Sequence, residues 1–172
     1  MRIRARASAP AKVILLGEHF VVHGTPAIVL AIDLRATVLA EQRKDKKIYV
    51  ESKALKCSDY FEDYDFRVKK GNKYPNSQLE PIFAVVKNVM ETTNKDFGFN
   101  LKIDSDIPVA AGLGSSAAIA VASTAALSHL FSLCLNDKEI FEFAFEAEKI
   151  VHGNTSGVDP AVSTYGGILC YQ

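Results

Sequence analysis

The chain has 172 residues, 48% hydrophobic and 23% charged, with 20 basic and 20 acidic side chains and a formal net charge of zero. It is long and apolar enough for one domain with its own core, which excludes a disordered segment. The balanced charge offers no field for nucleic acid, and no apolar run reaches the length of a membrane span. Neither nucleic acid nor a membrane is expected as a partner, so an anionic ligand has to be held by local groups.

The three cysteines, Cys57, Cys134 and Cys170, are odd in number and spaced for no metal site, which fits reduced thiols in a cytoplasmic protein. Residues 2–8 alternate charged with small or apolar side chains and predict a first strand at a sheet edge, broken by Ala9-Pro10. Residues 12–20 form a second apolar run interrupted by Gly17-Glu18-His19. Burying an unpaired charge is costly, so the charged ends of this run belong at the edge of the core. After a turn at residues 21–26, residues 27–43 alternate as a long strand with a bend near Asp33. Residues 43–47 read as a solvated hairpin turn, and residues 48–52 as the returning strand.

The pattern is weakest over residues 53–74, which suit a loop and a short strand. A helix opens over residues 76–81, carries Leu79, Ile82, Phe83, Val86, Val89 and Met90 at helical spacing, and stops near Asn94. Residues 97–107 read as a strand and residues 115–133 as a helix of about five turns. Asn136-Asp137 caps a further helix over residues 138–151. Its apolar residues Ile140, Phe141, Phe143, Ala144, Ala147 and Ile150 cover more than one face, so it is expected to be well buried. Residues 168–171 close the chain as a strand. The sum is an α+β fold of about six strands and three helices, mainly antiparallel, in one domain without repeat or linker.

The chemistry concentrates between the strand ending near Ile107 and the helix opening at Ser115. A glycine-rich turn at a helix N-terminus presents unpaired N–H groups and the positive end of the helix dipole, which favours a phosphate. Gly112 and Gly114 let the backbone approach an anion, and the Ser115 and Ser116 hydroxyls can donate to it or ligate a cation. Taken alone, the string also suits a tight turn with a Ser N-cap, and no Lys follows the second glycine as a P-loop requires. Glu148 lies near the end of the helix over residues 138–151, and Asp159 follows beyond a turn with Gly153 and Gly157. Both carboxylates can therefore face one centre.

Three ordered strings carry a resemblance. Pro108-x-x-x-Gly112-Leu113-Gly114-Ser115-Ser116-Ala117 resembles the second motif of the GHMP small-molecule kinases, which include galactokinase, homoserine kinase, mevalonate kinase and phosphomevalonate kinase. The string from Ala9 through Lys12 to Gly17-Glu18-His19 is similar to that family's first motif. Glu148 and the string from His152 to Asp159 resemble the region carrying the catalytic Asp, in its mevalonate kinase form. The resemblance covers nearly the whole chain. It implies the ribosomal protein S5 domain 2-like fold, a mainly antiparallel sheet with helices packed on one face.

The resemblance also assigns roles. Pro108, Ala110, Ala111, Gly112, Leu113, Gly114, Ser115, Ser116 and Ala117 hold the ATP phosphates, and Ser116 and Glu148 hold Mg²⁺. Asp159 matches the family's catalytic base, either taking the proton of the attacking hydroxyl or positioning it, with Lys12 as its neighbouring cation, and Glu18 and His19 face the acceptor. Apart from the resemblance, His152 either orients Asp159 or closes its helix, and the closing role is preferred because a cation is favoured at a helix C-terminus. The apolar Phe20-Val21-Val22 that follows Glu18-His19, where galactokinase-like sequences carry an Asp, points to mevalonate, phosphorylated by ATP on its primary hydroxyl. Another GHMP kinase such as phosphomevalonate kinase, a related decarboxylase, and a non-catalytic module binding a nucleotide or small acid stay open as alternatives. The family's third glycine-rich motif is absent, so residues 1–172 resemble an N-terminal ATP-binding domain. A C-terminal GHMP domain, or a second chain supplying it, is the expected partner, docking on an exposed apolar face. A homodimer is compatible with this reading.

Overall fold

A computed structural model describes residues 3–61, 79–95, 97–153 and 155–172, without the side chains of residues 19, 20, 22, 61, 80, 151 and 152. Residues 62–74, most of the stretch over residues 53–74 where the sequence pattern is weakest, lie outside it. The strands are β1 (Arg4–Leu16), β2 (Ala27–Gln42), β3 (Ile48–Ser52), β4 (Cys57–Phe61), β5 (Phe99–Ser105) and β6 (Ile168–Tyr171). The helices are α1 (Glu80–Thr92), α2 (Ser115–Phe131), α3 (Asp137–His152) and α4 (Val158–Tyr165), with a 3-10 segment at Glu18–His23.

The strands form one sheet in the order β1-β2-β5-β3-β4, antiparallel except for the β3/β5 pair. β2 is long enough to take two partners end to end on one side: residues 27–30 pair with β6 and residues 36–42 with β5. β1 sits at the edge, as its pattern predicts, but Ala9-Pro10 does not end it. Pro10 faces Arg35 and Ala11 faces Ile32, so Asp33 and Leu34 are extra residues on β2. The sheet absorbs the proline with this bulge on an edge strand, where a missing N–H is tolerated. The bulge falls where the bend near Asp33 is expected.

The turn over residues 43–47 does not close a hairpin. β5 lies between β2 and β3, with Phe99 opposite both Gln42 and Ile48. The Arg43 N–H donates to Gly98 O and the Gly98 N–H to Asp45 O, which stitches the turn to the inserted strand.

α2 is the central helix. Its Ala-rich sequence buries almost every residue from Ala117 to Phe131, against β1 and β2 on one side and the other three helices around it. α3 is capped by Asn136 and Glu139 in a reciprocal capping box, as Asn136-Asp137 suggests. It is not well buried, however: Ala144 and Ala147 are its core residues, while Ile150 is 58% exposed. The reason is position, since α3 packs chiefly on other helices at the outside of the layer. α4 adds a helix to the three expected. Its residues Val158 and Val162 pack on Val29 and Ala27 in a small second core. Pro160 is accommodated because it falls in the first turn, where no intrahelical donor is needed.

On the opposite side of this sheet half, Leu16, Ile28 and Cys170 form one cross-strand row and Val13, Leu30 and Ile168 the next. Leu16 is 63% and Ile168 72% exposed. Among the described residues no helix is long and apolar enough to cross a membrane.

Candidate active site

The turn from β5 into α2 is wound by left-handed backbone at Ala110 (φ 59°), Gly112 (φ 72°) and Gly114 (φ 70°). Gly114 is the N-cap of α2, and no side chain caps it. The Ser N-cap alternative is thereby set aside. The first intrahelical bond runs from the Ala118 N–H to Gly114 O. The N–H groups of residues 115–117 precede it and have no partner within the helix. They open on a pocket of about 210 Å³ lined by Pro108, residues 110–117, Glu148 and Asp159.

β1 brings the cation. The Lys12 backbone N–H donates to Leu113 O at 3.0 Å, tying the strand to the glycine turn. Its side chain is nearly buried, and Nζ lies 3.0 Å from Asp159 Oδ1. Asp159 occupies the first turn of α4, so the helix dipole and the ammonium both favour its negative charge. A Cβ on Gly114 would lie 2.8 Å from Lys12 Cγ and 3.4 Å from Asp159 Oδ2. Strand, glycine turn and α4 therefore meet at one point, where a residue without a side chain is needed.

α3 brings the second carboxylate. Burial, and next the charge of Asp159, push the Glu148 carboxyl from its ordinary 4.5 up to about 7; a Thr155 hydroxyl contact and the Lys12 charge act against this. Its Oε2 is buried without a hydrogen-bond partner. A buried carboxylate oxygen without a partner, beside a second carboxylate, suits a cation. Ser116 and Glu148 line the same pocket with oxygen donors, which fits Mg²⁺, a hard ion that keeps several waters and needs few protein ligands.

The shifted carboxyl makes stability pH-dependent. Between about 4.5 and about 7 the folded chain holds a proton that the unfolded chain has released, so stability falls as pH rises through that window. Glu148→Gln should remove this slope. Thermal melts are expected to show the variant level with wild type near pH 4 and more stable than wild type at pH 8, without added nucleotide.

Of the residues expected at the site, the glycine string, Lys12, Glu148 and Asp159 converge. Glu18 is exposed at the start of the 3-10 segment and does not line this pocket. The side chains of His19 and His152 lie outside the described residues. Sequence reasoning misses Tyr171, whose hydroxyl donates to Ser156 O at 3.0 Å and fixes the turn leading into α4. No local signal marks it, because the contact joins the last strand to a loop. Gly157 (φ 79°) caps α4 in the left-handed region, and a Cβ there would lie 2.8 Å from the Tyr171 hydroxyl and 2.9 Å from Phe145 Cε2. Gly157→Ala should therefore cost about 1–3 kcal/mol in urea unfolding.

The sequence profile of the family described as GHMP kinases N terminal domain matches residues 80–167. The mevalonate kinase of Thermococcus sibiricus is 43% identical over 174 residues, covering 99% of this chain and 52% of that protein. The mevalonate kinase of Pyrococcus furiosus is 42% identical over 170 residues, covering 96% and 51% respectively. The crystal structure of Methanococcus jannaschii mevalonate kinase superposes with a TM-score of 0.84 at 33% identity, covering 100% of this chain and 53% of that one. The chain thus spans about half the length of the curated relatives it matches.

Proposed function

Since the chain belongs to the GHMP kinase N-terminal domain family, we propose that it is the nucleotide-binding half of a kinase. That kinase transfers the γ-phosphoryl group of ATP to the primary hydroxyl of mevalonate, giving 5-phosphomevalonate and ADP. The observation that carries the reading is the Lys12–Asp159 pair, 3.0 Å apart and set against Gly114 in the glycine turn. The relatives named above are mevalonate kinases, which supports the choice of acceptor.

In this reading the N–H groups of residues 115–117 and the α2 dipole bind the phosphates. Ser116 and Glu148 hold Mg²⁺, whose chemistry when bound is to neutralise charge on the phosphoryl oxygens. Asp159 accepts a hydrogen bond from the attacking hydroxyl, orients it and takes its proton. Lys12 fixes the carboxylate and offsets the negative charge that develops on the transferring group. Glu18 and His19 contact the acceptor beyond the end of β1.

The apolar rows of β1, β2 and β6 are covered by the second half that the longer relatives possess, supplied in the same or a separate chain. An exposed apolar surface of this kind marks an interface. The free thiols of Cys57, Cys134 and Cys170 suit a cytoplasmic protein.

The test is a panel of mevalonate, phosphomevalonate, galactose and homoserine with Mg-ATP, with and without the C-terminal half of the Thermococcus sibiricus relative. ADP release with mevalonate, dependent on the added half, is expected. Turnover of another acceptor in preference to mevalonate would reassign the substrate. Tight nucleotide binding with no turnover of any acceptor would favour a binding module.

A further inference from the structure

Two polar side-chain contacts tie α4 to β1. One is the Lys12–Asp159 ion pair; in the other, Ser163 Oγ donates to Pro10 O at 3.0 Å. Ser163 is 2% exposed and the proposed chemistry does not use it. Asp159 and Ser163 are four residues apart on one face of the helix, about 6 Å along its axis. Lys12 and Pro10 are two residues apart along the strand, about 6.6 Å, and Pro10 makes its contact through the backbone carbonyl. The two spacings match, so α4 makes both contacts in a single axial register.

The apolar packing of α4 on β2 does not select that register. Val158 and Val162 pack on Ala27 and Val29 through apolar surface, which is non-directional and tolerates sliding. Ion-pair geometry at Gly114 is tighter, because a Cβ there would already stand 2.8 Å from Lys12 Cγ and 3.4 Å from Asp159 Oδ2. The acceptor of the Ser163 bond lies at the bulge, where β1 changes register on β2, two residues before Lys12.

We propose that Ser163 is a positioning residue: its hydroxyl sets the axial register of α4 on β1 and so holds the Asp159 carboxylate between Lys12 and the glycine turn. The ion-pair part of this inference stands on geometry alone. Its kinetic part rests on the kinase reading above.

The first arm measures the coupling between Lys12 and Asp159 by a double-mutant cycle of K12M and D159N in urea unfolding. It is run with Ser163 present and again with Ser163→Ala. Coupling of about tenfold in the unfolding constant is expected with Ser163, falling to about threefold or less without its hydroxyl. Ser163→Cys, nearly isosteric with a weak donor, replaces the alanine variant should that not fold, and should give the same loss. The second arm measures phosphoryl transfer with the second half supplied. Here S163A is expected to lower kcat at least tenfold while the KM for ATP changes less than threefold, since the glycine turn is untouched. A variant that unfolds more easily but keeps the full Lys12–Asp159 coupling would overturn the inference and leave Ser163 a packing residue. Lost coupling with unchanged kcat would overturn its kinetic part. Absence of turnover in the wild type as well would count against the kinase reading, while the coupling arm still decides the positioning role.

Discussion

Replacing Asp159 by Asn is expected to lower phosphoryl transfer to mevalonate by about 10³-fold, within the range by which a positioned acid or base accelerates proton transfer. Asn keeps the shape of the side chain and a carbonyl oxygen that accepts a hydrogen bond. It loses the charge that takes the hydroxyl proton and the counter-charge for Lys12. The ammonium is nearly buried and stands 3.0 Å from the carboxylate it would lose. Breaking one side of a buried pair leaves an uncompensated charge, so the variant should also lose up to about 3 kcal/mol of stability. Activity is therefore compared at a temperature where circular dichroism shows both proteins folded. The glycine turn is unaltered, so nucleotide affinity should change far less than kcat. A variant with near wild-type kcat would remove Asp159 from the reaction.

Replacing Gly114 by Val is expected to weaken ATP binding by about 100-fold or more, measured by isothermal titration. The position is at φ 70°, which a β-branched residue avoids, and a Cβ would press into Lys12 Cγ at 2.8 Å. To make room, either the turn must turn its N–H groups away from the pocket or Lys12 must leave Asp159. Gly112→Ala serves as the comparison. Gly112 has a similar φ of 72° but open space where a Cβ would stand. Its substitution strains the backbone without displacing the ion pair, so its effect on affinity should be several-fold smaller. Equal effects at the two positions would show that backbone strain alone, and not the crowding at Gly114, governs binding.

How much of this was legible beforehand follows from the range of each interaction. The glycine string, the strand before it and the helix after it are local, so alternation and composition expose them. The bend near Asp33 is likewise written in the long alternating run of β2. Insertion of β5 between β2 and β3 is not local, which is why the turn at residues 43–47 reads as a hairpin. α4 is hidden because it has eight residues, opens on a glycine and carries a proline in its first turn. The apolar residues of α3 suggest deep burial, yet Ile150 is largely exposed, since periodicity says which faces are apolar and not what covers them. At the site, Lys12, Glu148 and Asp159 are legible through their motifs. The contacts that aim them, Tyr171 to Ser156 and Ser163 to Pro10, join segments 15 and 153 residues apart. No sequence pattern records them.

The account turns on phosphate held by backbone N–H groups beside the Lys12–Asp159 pair, and a ¹⁵N–¹H NMR titration of this chain with Mg-ATP tests it most directly. The largest shifts are predicted at the amides of residues 112–117, with smaller ones at Lys12 and at the first turn of α4. Saturable binding that leaves those amides unmoved and shifts another surface of the sheet would contradict it.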